Sequence, residues 1–242
     1  MHTKSLLSTL FASLFFAPFM LLSQSAVAQS VDAGNLERVS GNATITSANN
    51  QTRPATANSK IQSGDTITTA AGSEALIKMT DNTVVTLRPN TQLQFTDFKF
   101  EDKASDSMVS SLLRGTARMV SGLIGKTRPT NVAVRVRTAT IGIRGTDFEI
   151  ALVEEDAGST RAGIYNYVHD GRTNVTLAQG PSADVPKDKT AFAPANLRPG
   201  ESPLQILDDR PVFLQSGGGF DALMQSLTMQ PMNVIQQMPQ FR

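Results

Sequence analysis

Few residues in this chain have the types and spacing that bond-breaking chemistry requires. Of its two histidines, His2 sits in an N-terminal leader and only His169 belongs to the body of the chain. Two-histidine mechanisms and histidine-cluster metal sites are therefore excluded. His169-Asp170-Gly171 could supply an imidazole held by a carboxylate, the beginning of a nucleophilic triad. Adjacent strand residues point to opposite faces, however, and no G-x-S-x-G turn supplies the nucleophile. The tripeptide is better read as a hairpin turn, Asp170-Gly171 joining a strand at 164–168 to one at 174–177. With no cysteine in the sequence, disulfides, thiolate zinc sites, thiol nucleophiles and a lipidated cysteine are excluded as well. Met224, Met229, Met232 and Met238 could offer thioethers to a soft metal. Their spacings of five, three and six residues repeat no motif, so they read as adaptable packing for a terminal helix or as an apolar strip for a partner. The sequence predicts no enzyme, no catalytic residue, no metal site and no cofactor.

Binding chemistry is better represented. Between Ser107 and Thr146 the chain carries Arg114, Arg118, Lys126, Arg128, Arg135, Arg137 and Arg144 and no acidic residue. Guanidinium forks match carboxylates and phosphates, so a cationic surface at Arg114, Arg118, Arg135, Arg137 and Arg144 is the predicted partner-binding region. Candidate partners are an envelope protein with an acidic surface or an anionic envelope polymer, such as a glycan, peptidoglycan or lipopolysaccharide. A competing reading places Arg135 and Arg137 across a ladder from Asp147 and Glu149, where they would merely neutralise one another. Arg144, between Gly142 and Gly145, could equally tie down its own loop. Nucleic acid is not an expected partner, because the chain as a whole is near neutral, with 22 Lys+Arg against 21 Asp+Glu.

The elements that must position these arginines read as β. From Gly34 to Gly180 the dominant period is two, rich in Val, Ile and Thr and punctuated by Gly, Asn and Asp. Residues 75–80 and 83–87 flank Asp81-Asn82 as a hairpin. Val132, Val134 and Val136 alternate with Ala133, Arg135 and Arg137, and Phe148, Ile150 and Leu152 alternate with Asp147 and Glu149. Runs beginning at Gly41, Gly115, Gly145 and Gly171 recur without a fixed period, their glycines suited to turn conformations. The β pattern lapses between Ala104 and Leu113, where a short helix or loop is predicted. From Pro181 the prolines predict a meandering tail rather than more sheet, with a short helix over Phe220 to Met229.

The fold class is therefore mainly β, an antiparallel sandwich or roll of consecutive hairpins with an irregular Pro-rich tail and a short C-terminal helix. Its core is predicted to include Val39, Ile45, Ile67, Ile77, Leu87, Leu93, Val120, Val134, Val136, Phe148, Ile150 and Leu152. Residues 1–28 read as a signal peptide: Lys4, an apolar run from Leu6 to Leu22, and Ala26-Val27-Ala28 before a cleavage between Ala28 and Gln29. Export follows from it: the product would be periplasmic or secreted, with no transmembrane segment once the leader is cut. A β domain would occupy 29–180 and the Pro/Gly/Met/Gln-rich tail 181–242. An outer-membrane barrel is disfavoured by short strands and few aromatic residues.

Several segments together resemble the FecR domain family: Ile61 to Thr69, the hairpin through Asp81-Asn82-Thr83, Leu87 to Phe95, Leu112 to Val120, and Thr140 to Phe148 (TIGIRGTDF). The last is the most specific. Asn82 stands where many members carry glycine, a change its tolerance of left-handed turns allows. The resemblance implies a non-enzymatic, extracytoplasmic binding or sensing module of the cell envelope. In the best-known members the domain relays occupancy of an outer-membrane transporter to a sigma factor. The alternative function is a periplasmic component of such signalling, the cytoplasmic part coming from another protein.

Overall fold

The computed structural model describes residues 31–215 and 219–228. The leader, the Ala28–Gln29 junction, Met229, Met232 and Met238 lie outside the described residues. Fifteen strands join in one sheet. They are β1 (Asp32–Ser40), β2 (Ala43–Thr46), β3 (Thr52–Pro54), β4 (Lys60–Gln62), β5 (Thr66–Thr69), β6 (Glu74–Met79), β7 (Val84–Leu87), β8 (Gln92–Lys99), β9 (Ser107–Val120), β10 (Val132–Val136), β11 (Ala139–Val153), β12 (Gly163–Leu177), β13 (Ser182–Pro186), β14 (Thr190–Pro194) and β15 (Gln205–Leu207). Helices α1 (Leu123–Thr127), α2 (Val212–Gln215) and α3 (Asp221–Thr228) are short.

The sheet folds over on itself because its three long strands bend midway. Gly115 in β9, Gly145 in β11 and Gly171 in β12 have φ of +83°, +58° and +76°, and each divides its strand between two layers. At Gly115 a β-carbon would lie 2.6 Å from the Cα of Thr91 and 2.7 Å from the carbonyl oxygen of Asn90. At Gly171 it would meet the carbonyl oxygen of Gly145 at 2.4 Å. Both corners therefore need glycine for close approach as well as for conformation. The front layer runs β4-β1-β6-β7, the second half of β9, the second half of β11, the first half of β12, then β14-β15. The back layer runs β3-β2-β5-β8, the first half of β9, β10, the first half of β11, the second half of β12, then β13. Pairing is antiparallel except for β9–β10, which is parallel.

The core fills the space between the layers. Ile45, Ile67, Leu93 and Val134 from the back meet Ile77, Leu87, Phe148 and Ile150 from the front, and all are buried. Val39 is only partly buried, and Val120 faces the opposite way, into a smaller cluster on the outside of the front layer. The Asp81-Asn82 hairpin is present: Asn82 has φ +66°, and the buried Asp81 carboxylate accepts from Thr83 N and Thr83 Oγ1, both at 2.9 Å.

Three expectations change. The stretch from Ala104 to Leu113, predicted as a short helix or loop, lies largely in β9, whose outward Ser107, Val109 and Ser111 and inward Met108, Ser110 and Leu112 do alternate; Ser110 disguised the pattern. Asp170-Gly171 is not a hairpin, since β12 continues through it as a bent strand paired to β11 on both sides. The sheet also continues past Pro181. Pro181 precedes β13, and Pro186 and Pro194 end strands β13 and β14, positions where a missing donor is tolerated. Helix α3 falls where the sequence placed it.

Candidate partner-binding surface

The five arginines singled out by sequence go to four different places. Arg114 ends the back half of β9, exposed, its Nε donating to Asn90 O at 3.1 Å. Arg118 lies on the front layer, 5% exposed. Its Nε and Nη2 donate to the two oxygens of Asp147 at 2.8 and 2.6 Å. Burial opposes its charge, but Asp147 holds the guanidinium pKa above its usual value. Arg137 occupies the β10–β11 turn at φ +46°, 3.2 Å from Glu154. Arg135 and Arg144 share the outer face of the back layer, both exposed. Arg135 sits opposite Thr140, while Asp147 and Glu149 pair with Val120 and Arg118. The expected neutralising ladder is therefore made by Arg118, one strand away from the arginines proposed for it.

The outsides of the two layers have opposite characters. On the front, one row of outward side chains reads Thr86, Arg118, Glu149, Tyr167, Thr190 through direct register partners. The C-terminal segment closes over it. Leu214 packs with Ala151, Tyr165 and Phe192, while Phe220 and Met224 pack with Leu76 and Val84. Met224 is thus an apolar packing residue. Between these patches lies Glu149, fully buried. Arg88 bonds one oxygen, and Arg210 donates to the other through Nε at 3.1 Å and Nη2 at 2.7 Å. His169 Nε2 lies 3.3 Å from that second oxygen, without the alignment of a hydrogen bond. Burial pushes the Glu149 carboxyl up, but His169, Arg88 and Arg210 together hold it below the usual carboxylate range. Asp221 completes the cluster at 3.6 Å from Arg118 and 3.8 Å from Arg88. His169 is thus a neighbour of an acid whose oxygens are committed to two guanidinium groups.

On the back, no described helix covers the outer face, and its central row can be followed by register across nine strands. It starts with Thr52, Thr46, Thr66 and Gln94. It continues through Ser111, Arg135, Thr140, Thr176 and Ser182. At ~4.8 Å between strands the row is about 38 Å long. The ends are internally bonded, Thr46 to Thr52 and Thr176 to Ser182, each at 3.0 Å. In the centre, Thr66, Ser111, Arg135 and Thr140 make no side-chain hydrogen bond or ion pair among the described residues. Along β11 from Thr140, Arg144 stands directly opposite Arg172 of β12, both exposed. Like charges facing across a ladder repel, and no carboxylate among the described residues lies within ion-pair distance of either.

Arg172 went unnoticed in the sequence because it follows the supposed turn glycine. The alternation of Arg172, Asn174 and Thr176 with buried Thr173 and Val175 was a usable signal. Arg88, Glu149, Arg210 and Asp221 are far apart in sequence, and no local pattern joins them.

The family model described as FecR protein matches residues 65–181, from the start of β5 to the threshold of β13. Two crystal structures of a candidate anti-sigma factor from Parabacteroides distasonis ATCC 8503 are similar to this chain, at 17% identity with a TM-score of 0.47 and at 16% with 0.45. Each similarity covers 60% of this chain and 59% of the other, so the chain spans less than two thirds of those proteins. No curated protein matches the sequence.

Proposed function

Residues 65–181 are a FecR domain, and on that footing we propose that the protein is a non-enzymatic, extracytoplasmic binding or sensing module of the cell envelope. The observation that carries the contact surface is the back face, which no described helix covers and where Arg135, Arg144 and Arg172 stand without an acidic partner among the described residues. Such a face attracts an acidic protein surface or an anionic polymer of the envelope, through contacts that salt screens. Its chemistry is capture rather than turnover. Glu149, the acid 3.3 Å from His169, is already neutralised by Arg88 and Arg210.

The family favours a second reading, in which the module is the periplasmic component of FecR-type signalling and another protein supplies the cytoplasmic part. No helix among the described residues is long and apolar enough to cross a membrane.

The test is co-sedimentation with isolated envelope at graded ionic strength. The wild type should partition with envelope at low salt and leave it as salt rises. The triple variant Arg135→Gln, Arg144→Gln, Arg172→Gln should stay in the supernatant. A triple variant that sediments like the wild type removes the back face from consideration.

A further inference from the structure

We propose that the back face binds an acidic polysaccharide, an extended chain carrying both hydroxyl groups and carboxylates, laid along the row that crosses the strands. This inference rests on the contact surface assigned above and names its ligand.

Three observations lead to it. Every side chain of the row is a hydroxyl, an amide or a guanidinium, from Thr52 to Ser182. Hydroxyls and amides both donate and accept, which suits a ligand whose hydroxyls do the same. Protein interfaces instead concentrate aromatic and apolar anchors at their centre, and the row contains none.

The open groups are also in the right place. The row satisfies itself at its ends and Gln94 donates to the Gly64 carbonyl at 3.5 Å, while Thr66, Ser111, Arg135 and Thr140 have no side-chain partner among the described residues.

The charge, finally, asks for an acid at defined positions. Arg135 lies within the row, and the Arg144–Arg172 pair lies four residues along β11 from Thr140, about 14 Å away at ~3.4 Å per residue. Between them Ala133, Gly142 and Asn174 are register neighbours, a β-carbon on Gly142 would meet nothing closer than 3.9 Å, and the exposed carboxylate next in this row, Asp184, accepts from Asn174 Nδ2 at 2.8 Å. The result is a flat, low floor with guanidinium groups on two sides and Asp184 at its β13 end. A carboxylate seated between Arg144 and Arg172 would relieve their repulsion and accept from both.

The experiment measures binding of the full chain to polygalacturonate, with poly-glutamate as an acid without sugar hydroxyls and dextran as a sugar without charge. Polygalacturonate should bind at low salt and dextran should not. Poly-glutamate should bind about tenfold or more weakly than polygalacturonate, the row's hydroxyl and amide contacts being lost. Arg135→Gln should weaken polygalacturonate about tenfold, as loss of a charge-assisted hydrogen bond does. Ser111→Ala with Thr140→Ala should weaken polygalacturonate and leave poly-glutamate unchanged, and these exposed or half-exposed positions should leave the circular-dichroism spectrum intact. Gly142→Tyr, which keeps every charge, should block the floor.

Poly-glutamate binding as tightly as polygalacturonate would overturn the glycan assignment and leave the contact surface standing. So would failure to bind either polymer while envelope co-sedimentation still depends on Arg135. Polygalacturonate binding indifferent to all of these variants would move the site elsewhere and overturn the proposal. If envelope association and polymer binding are both absent, the contact surface falls with it.

Discussion

Glu149→Ala tests how the C-terminal segment is held to the front layer. The carboxylate is fully buried, and its removal leaves Arg88 and Arg210, with side chains 11% and 22% exposed, under the segment without their shared acid. Breaking a buried ion pair from one side costs about 3–5 kcal/mol. Arg88 retains Asp221 at 3.8 Å, and Arg210 retains the Tyr167 ring at 5.4 Å, so the lower figure applies. For a chain of this size about 3 kcal/mol lowers Tm by roughly 6–12 °C. The loss should not be spread evenly. Arg210 belongs to the segment and Glu149 to the sheet, so the segment should open before the sheet unfolds. Chymotrypsin cleavage after Phe213 should quicken by about tenfold for each 1.4 kcal/mol of lost docking energy when opening is fast relative to cleavage. Arg210→Ala, which leaves Arg88 and His169 on the carboxylate, should cost less, about 1.5–3 kcal/mol. A Tm change within about 2 °C for Glu149→Ala would refute the reasoning. So would a large Tm loss with no faster opening, since the carboxylate would then be serving the sheet alone.

Two further outcomes follow from the corners and from the acid near the tail's start. Gly115→Ala should lower stability by roughly 2–4 kcal/mol in urea, combining left-handed strain with a clash against backbone atoms of Asn90 and Thr91. Gly145→Ala, where a β-carbon meets nothing within 4 Å, should cost only about 1–2 kcal/mol; equal losses would show that crowding plays no part. Glu201 is lowered from 4.5 to about 2 by hydrogen bonds from Arg161 first, then from the Arg198 backbone and Gln205. Because the folded value is depressed, its contribution to stability is complete above the unfolded pKa and disappears as pH falls from about 4.5 toward 2. Carboxyl titration followed by NMR should show Arg161→Ala moving Glu201 back toward 4.5, and an unmoved midpoint would contradict the assigned cause.

What was legible in the sequence is what one strand can encode. The valines of β10, the Phe148-Ile150-Leu152 stripe of β11 and the Asp81-Asn82 turn each carry their own periodicity or turn chemistry, and the structure follows them. The glycines at 115, 145 and 171 were visible as turn residues but not as bends. Chain reversal and a corner both use positive φ, and they differ in which strand lies alongside. The same limit governed the arginines. Alternation places Arg135 and Arg144 on one face of their own strands, yet it cannot say that Arg118 has crossed to the other layer. That depends on Gly115 bending β9 four residues after the back-layer register with β8 has passed Ser111. Val120, predicted for the core, changed sides for the same reason.

The difference between the two outer faces also bears on why the chain needs its tail. Leu76, Val84, Ala151, Tyr165 and Phe192 point outward from the front layer and are buried by residues after 204, beyond the end of the FecR match at 181. Bare, they would form two apolar patches beside a buried acid, a surface prone to association. The tail supplies Leu214, Phe220 and Met224 for the patches, Arg210 for Glu149 and Asp221 for the front-layer arginines, so its apolar and charged groups match the face it covers. Among the described residues the back face receives no such cover, and its Thr, Ser, Asn and Gln side chains are stable in water without one. The layer that cannot stand exposed is closed by the chain itself. On the proposed reading a partner meets the polar layer, where recognition would come from hydrogen bonds and guanidinium groups rather than from apolar burial.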